Sequence, residues 1–288
     1  MRSRRSRFVP PMASAGGALR RIPGIVVGYV DLHVHVLPGI DDGPSDAPGA
    51  MAMVRAAVAA GIGTLAATPH LRSDFPDVHV DELERRCRTV REAAAEEGIE
   101  IGIVSGAEVS LVWALEATDA QLALATYGQR GTDLLIETPT FNVGSLESLL
   151  YQLRSKGLRV TLAHPERNVE FQRDPARLVD LVRQGVLLQV NAESLLSGPR
   201  RSDTDRLGRY LCAEGLAHAL ASDGHRAAGW RPVGDLADAM PAAVALVGPE
   251  RAYWMMQTAP AAVIAGDELP VAPHVRVGRQ RPRLLRRR

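Results

Sequence analysis

A chain of 288 residues is long enough for one large α/β domain or two small ones. Apolar residues make up 46% and charged residues 23%, the balance of a soluble globular protein, and a formal net charge of +1 gives no general pull toward nucleic acid or membranes. The two cysteines, Cys87 and Cys212, form no CxxC pair, which argues against a thiolate metal site and points to a reducing compartment, the cytoplasm.

The chain opens on MRSRRSR and closes on RQRPRLLRRR. Such basic runs read as solvated tails, so residues 1–24 and 268–288 are expected to be flexible extensions around one domain over residues 25–267. SRRSRF has a faint likeness to a twin-arginine export signal, but Arg20, Arg21 and Pro23 interrupt the apolar stretch that should follow. No segment reaches the roughly 18 apolar residues of a membrane-crossing helix.

Within the domain, apolar β-branched runs alternate with helical patterns. GIVVGYVDLHV is the first strand, and SDAPGAMAMVRAAVAAG the helix after it, with Ser45 or Asp46 as N-cap and Gly61 as its stop. GTLAAT is the second strand, followed by a long amphipathic helix that ends at Gly98, and IEIGIVSGAEV is the third. TDLLIET, LRVTLAH, VLLQVNA and LAHALASD continue the series, with helices in SLESLLYQLRSKG, PARLVDLVRQG and DTDRLGRYLCAEG. Two or three helices are expected to close the fold before residue 267, and Trp254, Met255 and Met256 among them read as core filling. Seven strands alternating with helices imply a parallel sheet, either open or closed into a barrel.

The polar residues fall at particular places in these units. His33 and His35 lie at the end of strand one, with Asp41 and Asp42 in the Pro- and Gly-rich turn beyond it. His70 follows strand two, Glu108 ends strand three, Glu137 ends strand four and His164 ends strand five. Asp223 and His225 follow strand seven. Parallel strands of a barrel deliver their C-terminal ends to one face, where active sites assemble. A lone histidine is usually a hydrogen-bonded structural residue, and His79, His218 and His274 receive that reading. The clustered set does not, because so many ionisable groups are costly to bury together unless a cation neutralises them.

DLHVHVLPGIDDGPSD, ATPH, GAEV, LIET, LAHPER, QVNAESLL and ASDGH, in that order, resemble the polymerase-and-histidinol-phosphatase (PHP) superfamily. Within it they are similar to bacterial manganese-dependent tyrosine-protein phosphatases linked to capsule and exopolysaccharide synthesis. The resemblance implies a distorted, TIM-like (β/α)7 barrel holding up to three metal ions. It places His33, His35, Glu108 and Asp223 around the first ion. Glu108 would bridge to a second, also held by Glu137 and His164, and Asp42, His70 and His225 would hold the third. Many superfamily members have His where Glu137 stands, and Glu is the form of the tyrosine-phosphatase branch.

Imidazoles mixed with carboxylates suit Mn, Fe, Co or Zn, and the resemblance favours Mn. Such a centre suits attack on phosphorus by a metal-bridging hydroxide, with the phosphoryl charge screened by the ions. Arg167 in HPER and Arg231 beyond ASDGH match phosphate-contacting arginines of the resembled family, although Arg231 follows Trp230 where the family more usually has Gly. Arg72 and Arg226 also sit beside ligand positions. A cysteine phosphatase needs Arg six residues after Cys, and here Ala93 and His218 occupy those places.

The expected substrate is a phosphotyrosine protein, namely a bacterial tyrosine kinase in polysaccharide export, with no nucleic-acid partner. The alternatives are a small-molecule phosphatase, such as one for histidinol phosphate, and a metal-stabilised module that no longer catalyses.

Overall fold

The computed structural model describes residues 26–140, 143–198 and 201–275. The basic extension expected over residues 1–24 and residues 276–288 of the expected tail lie outside them.

Short aliphatic runs form β1 (Tyr29–Val34), β2 (Ile62–Ala67), β3 (His70–Leu71), β4 (Gly102–Ser105), β5 (Glu108–Val109), β6 (Asp133–Glu137), β7 (Arg159–Ala163), β8 (Leu187–Asn191) and β9 (Ala219–Ala221). All pair in parallel, in one sheet of order β1-β2-β4 and another of order β3-β5-β6-β7-β8-β9. The sequence reading of seven strands is corrected to nine among the described residues, because the third is interrupted and a short strand, His70–Leu71, follows the second. Pro69, which has no N–H to donate, separates β2 from β3, and Gly106-Ala107 separates β4 from β5. Direction is kept across both gaps, since Gly106 N donates to Ala67 O at 3.0 Å and Glu108 N to Pro69 O at 3.1 Å. The edges β1 and β9 approach through a parallel bridge between Val34 and Gly224.

Strands buried along nearly their whole length need cover on both faces. One cover is the large cluster between strands and helices, which takes in Met53, Leu83, Leu149, Leu178, Leu211 and Met255. The other is smaller and draws Val30 and Leu32 from β1, Ala66 from β2, Val104 from β4, Leu135 from β6, Ala163 from β7, Leu187 from β8 and Ala219 from β9, closed by Tyr127, Val263 and Ile264. Strict alternation along β1 would put Val34 in this inner cluster with Val30 and Leu32. Val34 instead joins the outer one, and the strand's register shifts between Asp31 and Val34. This irregularity re-aims His33 and His35.

Asp46, not Ser45, caps the helix Ala47–Ala59 by accepting from Gly49 N, and Gly61 follows at φ +84°, a conformation that suits glycine. The expected second long helix is Leu83–Glu96, with Gly98 beyond it at φ +69°. The expectation of two or three closing helices is corrected as well. Helices Asp235–Asp238, Met240–Val247, Pro249–Tyr253 and Ala259–Ala265, with a π turn over Trp254–Thr258, occupy that stretch. Pro241, Pro249 and Pro260 each stand in the first turn of a segment, where a missing N–H costs nothing. Trp254, Met255 and Met256 are buried core, as read.

Residues 268–275, read as part of a flexible tail, instead lie along the body. Leu269 packs on both clusters, Val275 packs on the larger one, and Trp254 Nε1 donates to Pro270 O at 3.1 Å. Apolar side chains among the charges anchor what composition alone reads as tail.

His218 sits between β8 and β9, where its Nδ1 accepts from Leu188 N at 3.2 Å. Burial, and then the Arg251 charge, lower its pKa from 6.5 to about 4. A depressed value in the fold means that the unfolded chain takes up the proton first, so stability is intact above pH 6.5 and is lost as pH falls from there to 4. His218→Asn keeps an acceptor for Leu188. Urea denaturation should show this variant losing about 2 kcal/mol less than wild type between pH 7 and pH 4.

Candidate metal centre

The candidate ligands cluster around strand ends. His33 is the penultimate residue of β1 and His35 follows the strand, while His70 and Glu108 open the two-residue strands β3 and β5 that come just after β2 and β4. Glu137 ends β6, His164 follows β7, and Asp223 and His225 follow β9. His33, His35, His70, Glu108, His164, Asp223 and His225 are buried, whereas Asp42 and Glu137 are partly open.

His33 Nε2 and His35 Nε2 are 3.2 Å apart. Glu108 Oε2 lies 3.2 Å from the first and 3.5 Å from the second, and Asp223 Oδ1 lies 3.5 Å from both. His70 Nδ1 reaches Glu108 Oε2 at 2.9 Å, and His164 Nε2 reaches Glu108 Oε1 at 2.7 Å. Asp42 Oδ1 lies 3.1 Å from His225 Nε2 and 3.6 Å from His70 Nε2.

Three groups therefore have donor atoms close enough to share a cation: His33–His35–Glu108, His35–Asp42–His70–His225 and His70–Glu108–Glu137. They differ from the sequence reading in two respects. His70 stands with Glu108 and Glu137 where His164 was expected, and His35 joins the third group. Asp223 belongs with the first group by its distances to both imidazoles.

The tautomers can be derived. His35 Nδ1 meets Asp41 Oδ2 at 2.7 Å, and His225 Nδ1 meets the Asp223 carbonyl at 2.7 Å. Both partners only accept, so both Nδ1 atoms carry a proton and Nε2 is the atom each ring turns toward the cluster. For His33 the assignment passes through a relay. The Asp223 carboxylate takes a hydrogen bond from Asn191 Nδ2 at 2.9 Å, Asn191 Oδ1 takes one from Gln189 Nε2 at 2.8 Å, and Gln189 Oε1 faces His33 Nδ1 at 3.1 Å. His164 N also donates to Gln189 Oε1, at 3.3 Å. An acceptor at one end orients both amides, so His33 too is protonated on Nδ1. Three Nε2 atoms thus converge on carboxylate oxygens, where either a second proton or a cation offsets the negative charge.

Charges and unpaired atoms agree. Glu108 and Asp223 are fully buried, and burial alone would raise their pKa values. The neighbouring histidines, led by His33, hold both well below the usual carboxylate range. Burial likewise works to lower His35, yet Asp41, Asp223 and Glu108 push it well up. Glu137 is raised by burial and by the Glu108 charge. Glu108 Oε2, His70 Nδ1, His164 Nδ1, Asp42 Oδ1 and His225 Nε2 are buried without a hydrogen-bond partner. His70 Nδ1 and Glu108 Oε2 lie close but lack hydrogen-bond alignment, as two ligands of one ion would.

Arg167 Nη1 lies 2.9 Å and Arg231 Nη1 3.5 Å from Asp223 Oδ2. Arg72 donates to Glu137 Oε1 at 2.8 Å. These three guanidinium groups and Trp230 line, together with Asp42, His70, Glu108, Glu137, His164 and Asp223, a cavity of about 220 Å³. Arg226 instead donates to the Asp42, Gly43 and His225 carbonyls and so ties two loops together. A surface cleft of about 290 Å³ beside Glu147 and Arg177 holds an ion pair between those two and none of these groups. His164, Asp223 and Arg231 have φ of +36°, +52° and +44°, and with Gln129 they are the only non-glycine residues at positive φ among the described ones. Backbone strain is concentrated where the side chains must converge.

Sequence reasoning assigned no role to Gln189, Asn191 or Asp31. Gln189 and Asn191 alternate with Leu188 and Val190 in a strand buried throughout, and two amides inside such a strand were the available signal. Asp31 accepts from Ser222 N at 3.0 Å and from His33 N at 3.3 Å, and burial pushes its pKa up to about 6.

A parallel α/β fold with a buried histidine–carboxylate cluster at its strand ends defines the class of α/β proteins whose strand ends bring together groups able to hold metal ions. The family model for capsular polysaccharide synthesis proteins of the CpsB/CapC type matches residues 29–265, and the chain belongs to that family. It is 32% identical over 197 residues to tyrosine-protein phosphatase YwqE of Bacillus subtilis (strain 168), covering 68% of this chain and 77% of that one. It is 24% identical over 210 residues to tyrosine-protein phosphatase CpsB of Streptococcus pneumoniae, covering 68% and 82%. A solved structure from work on YwqE and CpsB, described as unique metal-dependent tyrosine phosphatases, superposes with a TM-score of 0.73 at 27% identity, over 90% of this chain and all of that one.

Gln189→Leu would strand His33 Nδ1, His164 N and Asn191 Oδ1 without partners. Each unmet buried group costs about 1–3 kcal/mol. Chelator-treated protein carrying the change should therefore show a lower urea midpoint at unchanged slope.

Proposed function

We propose that this protein is a metal-dependent protein-tyrosine phosphatase. The observation that carries the reading is one cavity shared by a buried anionic histidine–carboxylate cluster and by two arginines, Arg167 and Arg231, which both reach Asp223. Names of relatives and the family's link to capsular polysaccharide synthesis support the same reading.

His33, His35, Glu108 and Asp223 would hold one ion. Glu108 and Glu137, with His70 or His164, would hold a second, and Asp42, His70 and His225 a third. The donor set is nitrogen and carboxylate oxygen without sulfur, which suits Mn, Fe, Co or Zn, and the family resemblance favours Mn. Bound cations would supply a hydroxide nucleophile at neutral pH and screen charge on the phosphoryl group. The chain does the rest. Asp41, Gln189 and the Asp223 carbonyl lock three imidazoles with Nε2 facing inward. Arg167 and Arg231 would turn from Asp223 to the phosphoryl oxygens, and a guanidinium can grip two of them at once. Hydrolysis transfers the phosphoryl group to water and releases the tyrosine phenol.

The scaffold is read as a distorted (β/α)7 barrel over residues 25–267. Its support is the inner cluster, which takes a residue from each of seven strand positions, and the Val34–Gly224 bridge between the two sheet edges. The substrate is read as a phosphotyrosine segment of a bacterial tyrosine kinase in exopolysaccharide synthesis, met in the cytoplasm. Free, buried Cys87 and Cys212, whose thiols burial pushes up to about 12, suit that compartment. No helix among the described residues is long and apolar enough to cross a membrane.

Chelation should abolish phosphate release from a phosphotyrosine peptide and lower the Tm, and Mn should restore both. The same peptide should be hydrolysed with a higher kcat/KM than histidinol phosphate; the opposite order would move the assignment to a metabolite. Arg167→Ala should raise KM or lower kcat at unchanged metal content, checked by steady-state kinetics and elemental analysis. Wild-type kinetics in that variant would remove Arg167 from the site.

A further inference from the structure

We propose that Trp230 is an aromatic platform that selects aryl over alkyl phosphate esters, a step that rests on the phosphatase reading above. Trp230 is 56% exposed on the wall of the cavity that Glu108, Asp223 and Arg231 line. Exposure alone is ordinary for an apolar side chain, but on this wall the ring is a surface that an occupant of the cavity would meet.

The indole is held firmly. Arg231 Cζ sits 4.7 Å from its ring centroid, and the His225 ring meets it at 5.1 Å and 58°. The loop behind it is pinned by His225 N donating to Arg231 O at 2.9 Å and Val233 N donating to Arg226 O at 3.0 Å. Arg226 in turn binds the Asp42 and Gly43 carbonyls. The ring is therefore presented in advance, at little entropic cost to a ligand.

Its place decides what it can recognise. Arg231 stacks on the indole and reaches toward Asp223 from the same backbone turn, so one residue pair offers a phosphate donor and an aromatic surface side by side. Phe75, another aromatic ring close to the cluster, stacks on His70 at 5.1 Å and 6° and does not line the cavity. An ester whose phosphoryl group sits at the arginines projects its leaving group past Trp230. A phenyl ring gains an aromatic contact there, and a serine or threonine side chain does not.

Non-hydrolysable phosphonates separate this contact from leaving-group reactivity. With Mn-loaded wild-type protein, phenylphosphonate should inhibit at a lower concentration than methylphosphonate. Trp230→Ala should raise the phenylphosphonate Ki roughly two- to tenfold more than the methylphosphonate Ki, and Trp230→Phe should restore most of the difference. Phenylphosphonate should also change tryptophan emission in wild type and not in Trp230→Phe. An equal change in both Ki values, or none, overturns the platform while leaving the phosphatase reading intact. Failure of either phosphonate to inhibit wild type, with no hydrolysis of a phosphotyrosine peptide, overturns both.

Discussion

Glu108 is the residue on which the rest of this structure depends. Its carboxylate is fully buried, and three imidazoles lie within 3.2 Å of its oxygens, from His33, His70 and His164. A buried carboxylate costs several kcal/mol unless positive charge accompanies it. Histidines supply that charge by taking protons, and the neighbours of His33, His35 and His225 fix one proton on each Nδ1, so that Nε2 is the atom that faces the carboxylates. A cation held by the same atoms would supply the charge in place of a second proton.

Convergence at Glu108 explains otherwise costly features of the fold. The register of β1 breaks between Asp31 and Val34, and His164, Asp223 and Arg231 adopt left-handed backbone conformations. Each aims a side chain that regular geometry would point elsewhere. The surrounding strands absorb that strain because they are short, parallel and covered on both faces. The relay from Asp223 through Asn191 and Gln189 then links the far side of the cluster to His33, so a carboxylate after β9 sets a tautomer on β1.

Trp230 shows how specificity can be added to such a centre without altering it. The indole leans on Arg231 and His225 but contributes no ligand atom, and the loop that carries it is anchored through the backbone carbonyls of Asp42 and Gly43 and not through ligand side-chain atoms. The surface facing a leaving group can thus change while the buried charges stay fixed.

Much of this was legible in the order of residues. Apolar period and caps located the strands and the helices Ala47–Ala59 and Leu83–Glu96, because those signals are local. The clustering of His33, His35, Glu108, His164 and Asp223 at strand ends was visible as well, since a parallel α/β topology brings such ends together. Two things were not legible: the packing of Leu269 and Val275, and the approach of His70 to both Glu108 and Glu137. Each depends on contacts between segments far apart in the chain. By itself the sequence determined which chemistry could assemble, through residue type and position within each unit. Only the tertiary structure decided which imidazole faces which carboxylate and with which nitrogen, because proton placement and orientation are set by neighbours that the linear order does not reveal.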